Sequence, residues 1–308
     1  MNKKIKHGII GAGYLGSYHA EQIKKINSVS FVGVFDLVKS KAQNIVNSKG
    51  GTAYSCPEDL LDCCDSVSIC TPASNHFEVA KLALQKNCHV FIEKPISNTL
   101  SSAEKLVKIN SSAKKIIQVG HIERYNPGFV AFIKNKPSPL FIESHRLSKY
   151  NVRGLDVPVV LDLMIHDIDL ILSIVSSKIK TIDASGTSVV SSGIDLANAR
   201  IRFENNVVAN LTASRISNKQ LRQMRVFEKK LYSVVDFENQ SLNCWAVKKN
   251  QNIHKTQYSK KPINALYLEL KDFIDCLKTK RQPLVGINEG TSALEVATKI
   301  QKIIENTK

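Results

Sequence analysis

Residues 5–16 read Ile5-Lys6-His7-Gly8-Ile9-Ile10-Gly11-Ala12-Gly13-Tyr14-Leu15-Gly16, and about 20 residues further on Phe31-Val32-Gly33-Val34-Phe35 ends at Asp36. An apolar strand running into Gly-x-Gly-x-x-Gly, then a helix, then a second strand closed by an acid, is the fingerprint of a dinucleotide-binding fold. Each glycine has its own task. Gly11 allows a tight turn, Gly13 lets backbone N–H groups approach a pyrophosphate, and Gly16 lets the helix lie close to its strand. The diphosphate is expected on the helix N-terminus, where unpaired N–H groups and the positive dipole end favour an anion. Tyr14 and Leu15 fill the variable positions of the same loop and are assigned to the same cofactor site. Asp36 stands where it would accept hydrogen bonds from the adenosine ribose hydroxyls and repel a 2′-phosphate. NAD is therefore favoured over NADP, although Lys39 is close enough to soften that preference.

Outward from this stretch, residues 1–120 alternate short β runs with helical patterns. The strand-like segments are Ile5–Ile10, Ser30–Phe35, Ser66–Cys70, His89–Ile92 and Ile116–Val119. Between them lie helical patterns at Leu15–Ile26, Lys39–Lys49, His76–Lys86 and Ser101–Asn110. Such alternation predicts parallel strands with helical crossovers, an α/β doubly wound Rossmann sheet. After Gly120 the pattern changes. His121–Gly128 reads as a polar, aromatic crossing segment, and longer two-periodic runs follow at Phe141–Leu147, Ile179–Val190, Ala197–Phe203, Val207–Ser214, Met224–Glu228 and Leu231–Phe237. Ala199-Arg200-Ile201-Arg202-Phe203-Glu204 alternates strictly, as in a sheet with unlike faces. Helices are expected near Pro158–Ser176, Ile263–Thr279 and Glu289–Asn306. The division predicted is a dinucleotide-binding domain over 1–120 and an α+β domain over 121–308. The second domain has an open, mainly antiparallel sheet and a last helix placed to pack back on the first domain.

At 308 residues and 43% hydrophobic content the chain can bury two real cores, and nothing in it suggests disorder. Its net charge of +16 comes from 34 lysines against nine arginines, spread from Lys3 to Lys308 with few aromatics among them. A nucleic-acid binder would concentrate its basic residues on one face with stacking rings, so no nucleic-acid partner is expected. A field of this sign would still recruit an anionic small substrate. The seven cysteines show no metal-ligand spacing, so no metal is assigned. Cys63, Cys64 and Cys70 lie in or near apolar runs and read as buried free thiols, which suits a reducing cytoplasm. Lys3, Lys4 and Lys6 before an apolar run imitate a signal peptide, but the glycine fingerprint accounts for the same residues. The longest apolar stretch, Val157–Val175, carries Asp162, His166, Asp167 and Asp169 and is no membrane span.

Two segments carry reactive groups. Phe91-Ile92-Glu93-Lys94-Pro95 closes a strand-like run, and ligands of open α/β sheets bind at the carboxyl ends of strands, so Lys94 is expected to point into the cofactor crevice, and Glu93 is assigned to the cofactor site with it. Cys70-Thr71-Pro72-Ala73-Ser74-Asn75-His76 leaves the preceding strand in the same direction, which places Thr71, Pro72, Asn75 and His76 against the nicotinamide half. Singly, Lys94 also reads as a surface lysine and His76 as a helix-start residue. In the helix at 158–176, Asp162 and His166 are one turn apart, with Asp169 continuing the stripe. A carboxylate beside an imidazole raises its basicity and fixes its tautomer, as a general base requires. The same pair could merely satisfy buried polarity.

Together, Gly11-Ala12-Gly13-Tyr14-Leu15-Gly16, Thr71-Pro72 with His76, Glu93-Lys94-Pro95 and Asp162-x-x-x-His166 resemble the glucose–fructose oxidoreductase/inositol dehydrogenase (Gfo/Idh/MocA) family over essentially the whole chain. The resemblance implies hydride transfer between NAD and a sugar or polyol carbinol. Lys94 would then polarise the reacting hydroxyl, His166 take its proton and Asp162 orient the histidine. It also implies a homodimer or homotetramer made through the open sheet. Val119-Gly120-His121-Ile122-Glu123-Arg124-Tyr125-Asn126-Pro127 and Asp162-Leu163-Met164-Ile165-His166-Asp167-Ile168-Asp169 resemble, more narrowly, the branch that contains UDP-N-acetylglucosamine 3-dehydrogenases. Tyr125 departs from the phenylalanine more usual there.

That likeness assigns substrate contacts to His121, Arg124, Tyr125, Asn126, Arg146 and Arg153, with Arg215 a further cation for a diphosphate, since arginine's planar fork suits phosphate oxygens. Each arginine could equally be a sheet-face ion-pair residue. The leading expectation is NAD-dependent oxidation of a nucleotide-sugar hydroxyl to a ketone, at C3 of UDP-N-acetylglucosamine or a close relative. The alternatives are a dehydrogenase of a free polyol, inositol or simple sugar, and a catalytically silent NAD-binding regulator of the same fold.

Overall fold

Six short parallel strands and their crossovers organise the first part of the chain in the computed structural model, which describes residues 4–150, 157–247, 252–259 and 262–306. In chain order they are β1 (Ile5–Ile10), α1 (Tyr14–Ile23), β2 (Val29–Phe35), α2 (Lys39–Lys49), β3 (Thr52–Tyr54), α3 (Pro57–Asp62), β4 (Ser66–Ile69), α4 (Ala73–Gln85), β5 (His89–Glu93), α5 (Leu100–Ala113) and β6 (Ile117–Gly120). The strand order is β3-β2-β1-β4-β5-β6 and every pairing is parallel. The reversal of order beside β1 and β4 is where ligands of such sheets bind. The inner strands are buried on both faces. Val67, Ile69, Val90, Phe91 and Ile92 are wholly inaccessible, which is why these runs read as continuously apolar.

Beyond β6, a single 3-10 turn (Ile122–Tyr125) leads to α6 (Pro127–Lys134). The Asn126 side chain caps α6 by accepting from the Gly128 N–H, and Pro127 takes the first helical position. The strands β7 (Phe141–Leu147), β8 (Ile179–Thr187), β9 (Leu196–Phe203), β10 (Val208–Ser214), β11 (Leu221–Glu228), β12 (Leu231–Asp236), β13 (Ser241–Val247) and β14 (Ile253–Tyr258) form one sheet in the order β14-β13-β12-β11-β7-β10-β9-β8. It is antiparallel except where β10 lies parallel to β7. Between β7 and β8 a π-helical turn (Val160–Met164) runs into α7 (Ile165–Ile174). Two helices close the chain, α8 (Ala265–Thr279) and α9 (Ile287–Asn306).

The chain forms two compact units, Met1–Ile122 with Asn264–Thr291, and Glu123–Ile263 with Ser292–Lys308. The expected division at residue 120 thus needs a correction. It is α8, not the last helix, that returns to the first unit, where Leu266, Leu270, Phe273 and Ile274 share a core with Ile23, Ile26, Val29 and Phe91. Gln118 on β6 donates to the Glu269 carbonyl of α8. Most of α9 belongs to the second unit, where Ala293, Val296, Ala297, Ile300 and Ile304 join α6, α7 and the alternate residues of β7, β9 and β10 in one core. Of the cysteines expected to be buried, Cys63 is exposed at the end of α3, and Cys64 and Cys70 are half-buried. Among the described residues no helix is long and apolar enough to cross a membrane.

Candidate active site

The glycine loop ends a buried strand and opens α1, and its geometry bears on each glycine differently. Gly11 has φ +99°, and a Cβ there would stand 2.7 Å from the Cys70 carbonyl. A Cβ on Gly16 would stand 1.9 Å from the Gly11 oxygen, so only glycine lets α1 start this close to its strand. At Gly13 a Cβ would meet nothing within 4 Å. Gly13 is the N-cap of α1, so no side chain caps that end, and no acidic residue stands in the first turn. The bare helix start faces a cavity of about 700 Å³ lined by Gly11, Gly13, Tyr14, Leu15, Asp36, Lys41, Thr71, Pro72 and Asn75 among others. Of the twelve first-unit residues assigned to the cofactor from sequence, eight line this one space: Gly11, Gly13, Tyr14, Leu15, Asp36, Thr71, Pro72 and Asn75.

Asp36 is held before any ligand arrives. Its Oδ2 accepts from the Ala12 N–H at 2.6 Å and its Oδ1 from the Val38 N–H at 2.8 Å. These bonds fix the carboxylate at the cavity wall with lone pairs to spare for ribose hydroxyls. A helix start without a cap, an open Gly13 and a fixed acid fit a dinucleotide's diphosphate and ribose. Cys70, at the end of β4, also lines the cavity; burial, with a smaller push from Glu93, holds its thiol well above the ordinary range, so it stays protonated.

His76 has another role than the one expected of it. It is 1% exposed, with Nδ1 2.8 Å from the Pro95 carbonyl and Nε2 2.8 Å from the Thr71 carbonyl. Burial lowers its pKa, so the ring is neutral and donates to one of the two oxygens. It ties together the loops that leave β4 and β5 and reaches the cavity only through them. Glu93 is also turned inward, its Oε1 bonded at 2.8 Å to His19 Nε2 of α1. Lys94 follows it, half-buried, at the carboxyl edge of the sheet.

In the second unit, Asp162 lies on the π-helical turn and His166 on the first turn of α7. Both are half-buried, whereas Met164, Ile165, Asp167 and Ile168 around them are buried. A π-helical turn inside an α-helix is uncommon and recurs at functional sites. Asp169 does not continue the stripe toward His166. It receives Arg124, whose Nε donates to Oδ2 at 2.6 Å and whose Nη2 donates to Oδ1 at 3.0 Å.

The substrate arginines need the same correction. Arg146 is 3% exposed and sits between Asp167, bonded through Nε and Nη2 at 2.9 and 3.0 Å, and Glu123, bonded through Nη1 at 2.8 Å. Burial opposes its charge, yet the two carboxylates raise the guanidinium above its ordinary value. Arg215 is buried and donates to the Val157 carbonyl. Asn126 is 3% exposed and spends its side chain on the α6 cap, Glu123 and the Phe237 carbonyl. His121 and Tyr125 are buried too. Arg153 lies outside the described residues. Arg124, Arg146 and Asn126 are thus tied into the second unit at the motif that looked like a substrate grip. Sequence alone shows the positive charges but not the acids that neutralise them. Among the described residues, no cluster of His, Cys, Asp or Glu side chains could hold a metal ion.

Residues 5–121 match an oxidoreductase family with an NAD-binding Rossmann fold, and residues 112–230 match the GFO/IDH/MocA C-terminal domain. The chain is similar to a UDP-N-acetylglucosamine 3-dehydrogenase from Acidithiobacillus ferrooxidans, with 30% identity over 98% of this chain and 97% of that protein. A solved structure of an Acidithiobacillus ferrooxidans enzyme of that name superposes with a TM-score of 0.93, covering 98% of each chain. A myo-inositol 2-dehydrogenase from Thermotoga maritima is 24% identical over 98% of this chain and 96% of its own. The parallel sheet with its glycine loop, the open eight-stranded sheet and these matches agree: the chain is an NAD-binding oxidoreductase of the GFO/IDH/MocA family.

Proposed function

We propose that this enzyme oxidises a hydroxyl of a nucleotide sugar to a ketone, at C3 of UDP-N-acetylglucosamine or a close relative. The observation that carries the reading is end-to-end similarity, in sequence and in fold, to a protein of that activity. NAD, when bound, supplies the hydride-accepting nicotinamide. The chain supplies the rest. Lys94 polarises the reacting hydroxyl, His166 accepts its proton, and Asp162 holds the imidazole in the tautomer that can do so. Replacing Lys94 or His166 by Ala is expected to lower turnover by about 10²–10⁴-fold with NAD binding nearly intact. Unchanged turnover in either variant would overturn these roles, whereas wild-type protein that binds NAD but turns over no sugar or polyol would favour the silent-regulator alternative.

One observation favours a second reading. Arg124 and Arg146 already hold buried carboxylates, which compensate the charge that a diphosphate would need. An uncharged polyol such as an inositol needs no such cation, and inositol dehydrogenases are among the similar proteins. Kinetic comparison of UDP-N-acetylglucosamine with free polyols separates the two.

The reading includes a cytoplasmic homo-oligomer. The sheet face opposite the second unit's core carries one cross-strand row, Phe141–Phe227–Tyr232–Trp245, capped by Lys255 over the indole. Tyr232 stacks on both Phe227 and Trp245. A ladder of rings on an uncovered sheet face suits a contact with a second copy, and light scattering in solution gives the stoichiometry.

A further inference from the structure

A chain of buried polar groups runs through the first unit to the residue before Lys94, and the mechanism above makes no use of it. On α1 the residues Gly16, His19, Ala20 and Ile23 share the buried face, so His19 projects into the sheet, where it is fully inaccessible. Its ring meets Phe91 edge-on at 5.2 Å. Its Nε2 lies 2.8 Å from Glu93 Oε1, and its Nδ1 lies 3.1 Å from Ser68 Oγ. Ser68 Oγ is in turn 2.9 Å from His7 Nε2, and His7 Nδ1 is 2.8 Å from Ser66 Oγ. Ser66, Ser68 and His7 are fully buried as well.

Hydrogen-bond arithmetic orders this chain. Burial opposes the charge of Glu93, but the His19 bond and charge, then Lys94 and His76, bring its pKa below the ordinary value, so the carboxylate is ionised and only accepts. His19 Nε2 must therefore donate to it. Burial, with a smaller contribution from His19, pushes His7 down to about 3, so that ring stays neutral. The neutral His7 ring bonds one nitrogen to each of the Ser66 and Ser68 hydroxyls, and Ser68 meets His19 Nδ1 on the other side, so the ring that donates to Glu93 is held at both nitrogens.

An ionised group in a protein interior is costly, and an apolar side chain would fill the place at lower cost. The place where the charge is useful is the end of β5, beside the Lys94 ammonium. Gly120 on β6 leaves room for it: a Cβ there would stand 3.0 Å from Glu93 Oε2.

We propose that His19 is a positioning residue that acts through Glu93 on Lys94. By donating to Oε1 it keeps the carboxylate charged and in one rotamer, and that carboxylate fixes the ammonium that polarises the substrate hydroxyl. The inference rests on the role given above to Lys94. The titratable groups facing Glu93 are His19 from α1, His76 from α4, Cys70 at the end of β4, and Lys94 next in the chain. Of these, the Cys70 thiol stays protonated, and the His19 hydrogen bond is the leading influence that favours the charged carboxylate, ahead of Lys94 and His76.

The test compares His19→Gln, which keeps an N–H for Glu93 and an acceptor for Ser68, with His19→Phe, which keeps a ring against Phe91 and removes the donor. Each is assayed as the full chain with NAD and UDP-N-acetylglucosamine. In the cofactor-free protein the Glu93 carboxyl is titrated by carbon-13 NMR, with its signal assigned from Glu93→Gln. His19→Phe is expected to lower kcat about 10–100-fold, as loss of an orienting partner does, with KM little changed. Without the donor the Glu93 pKa rises, so its ionised form is lost at a higher pH as the pH falls. Both the carboxyl titration and the acid limb of the rate profile should then move upward, and His19→Gln should restore both.

If His19→Phe does not fold, Ser68→Ala, which removes the bond orienting the ring, should move both in the same direction by a smaller step. A Glu93 titration unmoved in His19→Phe, or His19→Gln failing as fully as His19→Phe, would overturn the proposal. Lys94→Ala, run alongside, separates the two failures. Full turnover in that variant refutes the role of Lys94, whereas the carboxyl titration still reports whether His19 governs Glu93.

Discussion

Asp36 and Arg146 show how one charged side chain is committed by its partners. Asp36 accepts from two backbone N–H groups and still faces the cavity, so its remaining lone pairs are set for a diol rather than a phosphate. Asp36→Ala is expected to weaken NAD by about 10–100-fold, the scale of a lost hydrogen bond to a charged group, and to weaken NADP much less. Calorimetric titration with both nucleotides checks this, and equal losses would show that the carboxylate does not touch the ribose. Arg146, by contrast, is buried and spends a bond from each of its three nitrogens on Glu123 and Asp167. Its removal would leave Glu123 and Asp167 as uncompensated buried charges, so Arg146→Ala should cost about 3–5 kcal/mol in denaturant unfolding. Wild-type stability with a raised KM for a UDP-sugar would return Arg146 to the substrate site.

The start of α1 concentrates the cofactor chemistry in two glycines with opposite demands. Gly16→Ala drives a Cβ into the Gly11 carbonyl and should destabilise the apo protein by about 1–3 kcal/mol, the usual range for overpacking. Gly13→Ala meets no protein atom, so apo stability should change by no more than about 1 kcal/mol while NAD affinity falls. Thermal melts without cofactor, paired with NAD titrations, resolve the two; a Gly13→Ala protein that binds NAD normally would contradict the placement of the diphosphate.

Elements of this kind were legible in the chain because their patterns are local. Ile5–Ile10, Lys39–Lys49 and Phe141–Leu147 form the elements that their periodicity predicts. Three-residue β3 and six-residue α3 are too short to show a period. β14 is exposed along nearly its whole length, so nothing in it alternates. α6 hid behind Asn126-Pro127, which reads as a turn until the cap is seen. The buried chain was illegible for another reason. His19 and Glu93 are 74 residues apart, and only the placing of His19 three residues after Gly16 hinted that it faces inward.

At the scale of the whole molecule, the chain crosses between its two units more than once, which no composition shift announces. The apolar face of α8 shows that it needs a core but not which one. The net charge of +16 is likewise a property of the whole, and it favours anionic substrates whether or not any single arginine grips a phosphate. The central claim is the substrate, and one measurement meets it directly. Purified protein with NAD and UDP-N-acetylglucosamine, with and without a 2-oxo acid to reoxidise the cofactor, is followed by nicotinamide absorbance and mass spectrometry. Expected is a keto-sugar nucleotide lighter than the substrate by two hydrogen atoms. NAD binding without any such product, together with turnover of a free polyol, would contradict the nucleotide-sugar assignment and leave the polyol reading in its place.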